Sequence, residues 1–237
     1  MTRATPPRAL LFDVFGTVVD WRGSIIREAR RVGRAKGVRA DWPAFAEAWR
    51  AGYAPAMDRV RRGALPWQTI DALHRLILDG LLPEFGLRLT EREKRDLNRA
   101  WHRLAPWKDS VPGLARLKRR YIIGSLSNGN VALLVDMAKH AGLPWDCVLS
   151  GELFRHFKPD PEVYLGAAAL LGLRPREVML VAAHKSDLAA ARRCGLQTAF
   201  VRRPLEFGAK TGNDVTDDPR STLNADDFLE LARQLGA

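Results

Sequence analysis

Side chains that can act as nucleophiles, acids, bases or anion binders recur directly after short apolar runs of this sequence. They are Asp13, Ser127, Asn128, Lys158, His184 and Asp187. Carboxylates, hydroxyls, lysines and histidines are the groups that proteins use for nucleophilic and acid–base catalysis. A single aspartate at the end of a strand is usually part of a turn. Whether chemistry is possible therefore depends on the elements that would bring these side chains together.

The apolar runs are separated by stretches of helical character, which is the pattern of a parallel β-sheet covered by helices. The predicted strands are residues 9–13, 121–126, 147–150, 178–182 and 197–201. Each run is apolar throughout rather than alternating, as expected of strands that are buried on both faces. Ligands of open parallel sheets bind outside the carboxyl ends of the strands. We therefore expect the polar residues above to converge at that edge.

The long block between the first strand and Trp107 contains no convincing strand and carries the signals of amphipathic helices. Asp41 can cap one helix, and residues 66–82 show the apolar periodicity of a second. Thr90 and Glu93 have the capping-box spacing of a third. The sequence therefore predicts a helical lid that is inserted after the first strand.

A length of 237 residues allows one substantial hydrophobic core and a second, smaller one. We predict an α/β fold with a Rossmann-like parallel sheet core of residues 1–19 and 106–237 and an inserted helical cap subdomain of residues 20–105. The hydrophobic fraction of 46% and the charged fraction of 27% are typical of soluble globular proteins. The N-terminal segment has only a short apolar run that contains Asp13, so we predict neither a signal peptide nor a membrane span and expect a cytoplasmic location.

The formal net charge of +11 invites a nucleic-acid interpretation. The basic residues are scattered over helical stretches such as 27–31 and 116–120, without zinc-finger spacing or a basic region that leads into heptads. We expect solvated helix faces and a positive field that attracts small anionic ligands. Cys147 and Cys194 suggest neither a disulfide framework nor a metal cluster, and we expect both to be small buried apolar residues.

Four loops occur in the order and spacing of the motifs of the haloacid dehalogenase superfamily, which this sequence resembles over essentially its whole length. The loops contain Asp13 with Thr17, Ser127 with Asn128, Lys158 with Pro159, and Asp187. Any one of these motifs alone is weak, but four in register are specific. The resemblance implies the Rossmann-like core and the helical insertion.

Two positions separate this sequence from the phosphotransferases of that superfamily. Those enzymes carry a second aspartate two residues after the nucleophile, where this chain has Phe15. They also commonly carry an aspartate four residues before the last motif aspartate, where this chain has Ala183. Because Mg²⁺ prefers oxygen ligands that include carboxylates, both places disfavour magnesium and phosphoryl transfer. We expect no metal and no other cofactor.

The pattern is instead similar to the L-2-haloacid dehalogenase, or type II, branch, and Trp21 and the Trp49-Arg50 pair add to the likeness. In that branch an aspartate attacks the carbon that bears the halogen, halide leaves, and water hydrolyses the aspartyl ester. A halide departs without protonation, so the apolar Phe15 does no harm. The resemblance implies hydrolysis of short 2-haloalkanoic acids to 2-hydroxy acids with inversion at C2.

Transferred position by position, the resemblance implies roles for two sets of residues. The catalytic set is Asp13 as nucleophile, Thr17 to orient its carboxylate, Lys158 to keep it ionised, and Asp187 to hold Lys158 and help position the hydrolytic water. The binding set is Ser127 for the substrate carboxylate, Arg50 and Asn128 for the halide, and Tyr164 near the active site. Alternatively, Arg50 is a surface arginine, Tyr164 only packs on a helix, and Ser127 caps the helix that follows.

His184 departs from the commonest pattern of the branch. Many members have serine and asparagine in the fourth motif, where this chain has Ala182 and His184. The missing hydroxyl puts the usual water geometry in doubt. His184 can supply an equivalent hydrogen bond or act as a base near neutral pH, so we include it in the catalytic set. The alternative is a structural histidine.

Two other functions compete with dehalogenation. The first is a phosphatase-like hydrolase of the same fold, and the second is a non-catalytic protein that uses its basic surface for acidic partners. The joint presence of Asp13, Lys158 and Asp187 argues against the second. The partner that we predict is a small anionic 2-halocarboxylate, with no nucleic acid and no membrane. The resemblance also implies a homodimer.

Overall fold

The computed structural model describes residues 6–209 and 214–237. In these two ranges the strands are β1 (Ala9–Phe12), β2 (Val19–Asp20), β3 (Ala105–Pro106), β4 (Ile122–Ser127), β5 (Cys147–Ser150), β6 (Val178–Ala182), β7 (Gln197–Val201) and β8 (Leu223–Ala225). Six of them form a parallel sheet in the order β5-β4-β1-β6-β7-β8. The predicted α/β fold is confirmed. The sequence analysis missed β8.

Both faces of the sheet are buried, which explains why its strands are apolar throughout. Leu10 and Phe12 of β1 belong to one hydrophobic cluster, which continues into the helices that follow β2. Ala9 and Leu11, on the opposite face, belong to a second cluster. Because successive side chains of a strand point to opposite faces, β1 contributes to both cores and fixes the start of the nucleophile loop.

Five helices lie between β2 and β3. They are α1 (Trp21–Ala35), α2 (Trp42–Ala51), α3 (Tyr53–Arg61), α4 (Ile70–Glu84) and α5 (Glu91–Asn98), and a 3₁₀ helix covers Arg99–Arg103. The predicted cap at Asp41 is present, since its side chain accepts a hydrogen bond from the Ala44 backbone N–H. The predicted capping box of Thr90 and Glu93 is also present.

The second predicted helix began too early. Helix α4 starts at Ile70 rather than at residue 66, because the Thr69 side chain accepts a hydrogen bond from the Ala72 N–H and caps the helix there. The block that was expected to lack strands contains the two-residue strands β2 and β3. Strand β3 pairs antiparallel with β2. The segments that lead into and out of the five helices therefore run side by side.

The other helices pack around the sheet: α6 (Ser110–Leu117), α7 (Val131–Ala141), α8 (Pro161–Leu170), α9 (Lys185–Arg193) and α10 (Phe228–Gln234). The division into residues 1–19 with 106–237 and 20–105 stays a prediction, and residues 1–5 and 210–213 lie outside the described part of the chain. No helix in that part is long and apolar enough to cross a membrane. Cys147 and Cys194 are free thiols, but they are half-buried rather than buried as we predicted.

Candidate active site

A cavity of about 490 Å³ lies at the carboxyl edge of the sheet, beneath helices α2 and α3. Its lining includes eight of the nine predicted site residues: Asp13, Arg50, Ser127, Asn128, Lys158, Tyr164, His184 and Asp187. Thr17, the ninth, is fully buried and contacts the Asp13 carboxylate. The fold therefore brings the sequence-predicted residues together, and their spacing along the chain reflects the order of the strands.

Three side chains surround the carboxylate of Asp13. The Thr17 hydroxyl donates a hydrogen bond of 2.7 Å to Oδ2, and the His184 Nδ1 lies 3.1 Å from the same oxygen. Lys158 Nζ donates to the other oxygen, Oδ1, at 2.8 Å. Within residues 6–209 and 214–237, one carboxylate oxygen thus has two side-chain partners and the other has one, which leaves a lone pair of Oδ1 for a substrate.

The charges around Asp13 keep it ionised. Burial alone would raise the pKa of this carboxyl, but the positive charges of Lys158 and His184 and their hydrogen bonds lower it well below its usual range. Burial would likewise lower the pKa of Lys158, but Asp13 and Asp187 raise it. An anionic nucleophile and a cationic lysine are therefore the stable forms at neutral pH.

Asp187 is a second carboxylate that contacts Lys158. Lys158 Nζ donates to Asp187 Oδ2 at 2.5 Å, and the Tyr164 hydroxyl donates to Asp187 Oδ1 at 2.6 Å. Burial first and the charge of Asp187 second raise the pKa of the Tyr164 phenol, so it stays a hydrogen-bond donor. Tyr164 thus makes a polar contact at the site besides packing on its helix.

Glu206, which was not predicted from the sequence, contacts the other ring nitrogen of His184. Its two carboxylate oxygens lie 2.9 Å and 3.1 Å from His184 Nε2, and Trp21 Nε1 donates to Oε1 at 3.2 Å. The side chain of Glu206 is fully buried. Burial opposes the charge on His184, but hydrogen bonds to Asp13 and Glu206 raise its pKa to about 10. The histidine is therefore cationic at neutral pH, which disfavours a role as a base in the free protein.

A signal for Glu206 existed in the sequence. Strand β7 ends at Val201, and the rule that placed the other residues at the carboxyl ends of strands applies to the loop after β7 as well. That loop contains Glu206. A buried carboxylate needs a partner, and neither the loop's length nor its composition shows that His184 is that partner.

Ser127 and Asn128 shape the cavity wall after β4. The Ser127 hydroxyl accepts a hydrogen bond of 3.1 Å from the Gly129 N–H, whereas the N-cap position of α7 is Asn130, whose side chain makes no capping hydrogen bond. The Asn128 side chain is bonded to the lysine loop, because its Oδ1 accepts from the Lys158 N–H at 2.6 Å and its Nδ2 donates to the Lys158 carbonyl at 3.3 Å. Asn128 therefore fixes the backbone of the lysine.

Arg50 reaches the cavity from α2 rather than pointing into solvent. Its guanidinium lies over the ring of Tyr53, with its carbon 4.6 Å from the ring centroid, and 5.8 Å from that of Trp21. Its Nε is buried and has no hydrogen-bond partner within residues 6–209 and 214–237. Burial raises the pKa of Tyr53 to about 12, so its phenol is neutral. Helix α2 thus places a cation on an aromatic wall of the cavity.

Comparisons with known proteins agree with this geometry. The profile of a hydrolase family, described as haloacid dehalogenase-like hydrolase, matches residues 7–195. The chain belongs to this family. A solved defluorinating L-2-haloacid dehalogenase is 48% identical with a TM-score of 0.94, over 98% of this chain and 96% of that one. A second solved L-2-haloacid dehalogenase is 51% identical with a TM-score of 0.93, over 97% and 99% of the two chains.

A third structure is that of the L-2-haloacid dehalogenase from Xanthobacter autotrophicus with chloropropionic acid covalently bound. It is 25% identical with a TM-score of 0.81, over 98% of this chain and 99% of that chain. The expected family and a hydrolase class are therefore confirmed.

Phe15 and Ala183 are the two apolar residues at the places where phosphotransferases of the superfamily carry aspartate. Both have structural roles in this chain. The ring of Phe15 packs edge-on against Trp101 at 5.7 Å and Tyr53 at 6.4 Å between centroids. The Ala183 backbone N–H donates to the Thr17 hydroxyl at 2.9 Å. Phe15 therefore belongs to the aromatic wall, and Ala183 helps to aim the hydroxyl that contacts Asp13.

Proposed function

We propose that this protein is an (S)-2-haloacid dehalogenase, which converts a short 2-haloalkanoic acid and water into a 2-hydroxy acid and halide. One observation carries the proposal: the buried Asp13 carboxylate is held ionised by Lys158 and lines the cavity, with one donor on Oδ1 among the described residues. A carboxylate with an available lone pair is a competent nucleophile at an sp³ carbon. The names of the structural relatives supply the substrate class.

In the first step Asp13 attacks C2 of the substrate, the carbon–halogen bond breaks, and the halide leaves with the bonding electrons. An aspartyl ester remains. Ser127 and backbone N–H groups of its loop bind the substrate carboxylate, while Arg50 and Asn128 lie on the halide side. Donors that are fixed before the reaction stabilise charge that develops only in the transition state. The halide needs no proton, so Phe15 can occupy the place of a general acid.

In the second step water hydrolyses the ester. Asp187, held between Lys158 and Tyr164, positions this water. Attack from the side opposite the halogen inverts C2, and hydrolysis at the aspartyl carbon leaves C2 untouched. An S-2-haloacid should therefore give the R-2-hydroxy acid. The small anionic substrate also suits a protein with a net charge of +11, because a positive field raises the local concentration of anions.

Halide release from chloroacetate, bromoacetate, fluoroacetate and both 2-chloropropionate enantiomers, measured with EDTA present, tests the proposal. We expect release from the wild-type protein and none from Asp13→Asn, because an amide of nearly the same size is a poor nucleophile. A single turnover in ¹⁸O-water should place no solvent label in the first product. Activity that requires magnesium and a phosphoester, with no halide release, would replace this function by the phosphatase alternative.

The homodimer implied by the resemblance and the cytoplasmic location stay predictions.

A further inference from the structure

The two oxygens of the Asp13 carboxylate have unequal surroundings. Oδ2 contacts both the Thr17 hydroxyl and the His184 Nδ1, so both of its in-plane lone pairs have partners. Among the described residues Oδ1 accepts a hydrogen bond from Lys158 Nζ alone, and Asp13 lines the cavity. This asymmetry distinguishes the oxygen that attacks from the oxygen that stays.

We propose that Oδ1 forms the ester bond, that Thr17 and His184 form the oxyanion hole that binds Oδ2 during ester hydrolysis, and that Glu206 is the positioning residue that holds the His184 ring for this task. The proposal rests on the ester mechanism above and assigns its second step. Once Oδ1 carries the substrate carbon, Oδ2 is the ester carbonyl oxygen, and its two donors are already in place.

The contacts of His184 favour a hydrogen-bond donor over a base. Its Nδ1 faces the ionised Asp13, which can only accept, so this nitrogen carries hydrogen. Its Nε2 faces Glu206 at 2.9 Å and 3.1 Å. Each ring nitrogen is therefore directed at a carboxylate. A general base would need an unprotonated nitrogen directed at the water instead.

The chemical steps balance with groups already at the site. Water adds to Cγ of the ester, its proton passes to Asp187, and the negative charge forms on Oδ2. Collapse breaks the Cγ–Oδ1 bond, and Oδ1 leaves as the product hydroxyl with a proton from Lys158, which lies 2.8 Å away. Lys158 regains this proton from Asp187, which lies 2.5 Å from its Nζ. The regenerated acid of Asp13 loses its remaining proton to solvent.

Glu206 packs against the loop that carries the nucleophile. Its carboxylate is fully buried, and it accepts a hydrogen bond from Trp21 Nε1 while it contacts His184. Gly16, three residues after the nucleophile, has φ +86°, and a Cβ at this position would collide with the Glu206 carboxylate. The loop thus needs glycine both for its backbone conformation and for the approach of this carboxylate.

Rapid-quench kinetics combined with mass spectrometry of Asp13 test the proposal. We expect His184→Asn to keep a halide burst near one equivalent, to accumulate the Asp13 ester, and to lose about 10²- to 10³-fold in kcat, the usual effect of removing one oxyanion donor. Glu206→Gln should give the same pattern with a loss of about 10- to 100-fold, as is typical for partners that orient a reacting imidazole.

Glu177→Gln is the matched control. Glu177 is also a buried carboxylate, bonded to Arg174 at 2.9 Å, but it lies at the opposite end of β6. This variant should lose stability without accumulating ester. If Glu206→Gln does not fold, Trp21→Phe removes one donor to Glu206 and should give a smaller accumulation of ester. Equal slowing of the burst and of the steady state in the His184 and Glu206 variants would overturn the proposal.

Hydroxylamine distinguishes the oxyanion donor from a base. This strong nucleophile needs no base, so it would restore ester cleavage in His184→Asn if the histidine only deprotonated water. Because attack by hydroxylamine also places negative charge on Oδ2, we expect cleavage in this variant to stay slow relative to the wild type. Restoration to the wild-type rate would overturn the assignment. Absence of halide release and of ester in the wild-type protein would instead contradict the proposed function itself.

Discussion

Lys158 lies between two buried carboxylates and donates a hydrogen bond to each. Without its charge, Asp13 and Asp187 would repel each other, and both side chains are largely buried. Breaking a buried ion pair by removal of one partner typically costs about 3–5 kcal/mol of folding free energy, because the other charge is left buried. The residue therefore affects both stability and the protonation of the nucleophile.

We predict that Lys158→Met raises the pKa of Asp13, so that the halide burst, which needs the ionised carboxylate, increases with pH across about pH 5 to 9. In the wild type the pKa of Asp13 is lowered, so the burst should be flat there. Quench-flow halide assays at several pH values measure this difference. Lys185→Met is the control. This lysine follows His184 in the sequence and pairs with Asp214, so its removal should leave the pH profile of the halide burst flat. A flat profile for Lys158→Met would contradict the assigned role.

At the scale of single residues, the sequence predicted which side chains meet at the carboxyl edge of the sheet, and their contacts only in part; their roles stay predictions. Asp13 and Lys158 follow from the ends of strands and from the family motif. The hydrogen bond between the Asn128 side chain and the Lys158 backbone could not be predicted, because it depends on how closely two loops approach in space. Glu206 was missed for the same reason.

At the scale of elements, helix α3 is hydrogen-bonded to the loop that carries Lys158. Arg61 donates to the carbonyl of Lys158 at 2.7 Å and to that of Phe157 at 3.2 Å, and it pairs with Asp160 at 2.9 Å. The ring of Trp67 stacks on Phe157 with centroids 4.6 Å apart. A helix of the inserted block thus fixes the backbone of a residue that belongs to the sheet edge.

We predict that Arg61→Met lowers kcat for 2-haloacid hydrolysis about tenfold, because partners that orient a reacting side chain commonly contribute this much. The melting temperature should change little, since the Arg61 side chain is partly exposed. Arg62→Met is the matched control: this adjacent arginine is exposed, pairs only locally with Asp58 among the described contacts, and should keep full activity. Equal kcat for the two variants would show that the contacts of Arg61 do not position Lys158.

Strand boundaries were predicted more accurately than helix boundaries. The predictions for β5, β6 and β7 match the observed residues, because a strand buried on both faces is a continuous apolar run with clear ends. The start of α4 at Ile70 depends on a cap by Thr69, and the apolar periodicity upstream suggested a longer helix. The two-residue strands β2 and β3 are too short to give any periodic signal.

At the scale of the whole molecule, His102 links α4 to α7, which packs near the sheet. Its Nε2 lies 3.0 Å from Asp71 Oδ1 and its Nδ1 lies 2.9 Å from Asp136 Oδ2. Burial opposes the charge, but the two aspartates raise the pKa of His102 above 6.5. Asn130 and Arg99 bind the same two carboxylates.

We predict that this link stabilises the protein fully below pH 6.5, the unfolded value, and that its contribution is lost as the pH rises through the raised pKa of the folded state. The difference in free energy of unfolding between the wild type and His102→Gln should therefore shrink on going from about pH 6 to pH 9. Urea titrations measure it. His140→Gln, at an exposed position of α7, is the control and should show no such dependence. A difference that grows with pH would contradict the assignment.

Trp21 has two roles that bear on attempts to change the substrate range. Its ring lies under the Arg50 guanidinium at 5.8 Å, and its indole N–H is bonded to Glu206. Arg50 lines the cavity that would be redesigned for larger acids, and the side chain behind it, Trp21, thus also supports His184 through Glu206. Directed evolution of that wall should meet strong epistasis: substitutions that enlarge the cavity would slow ester hydrolysis unless a second change restores the contact with Glu206, so variants selected for halide release in a single turnover would often fail when screened for repeated turnover.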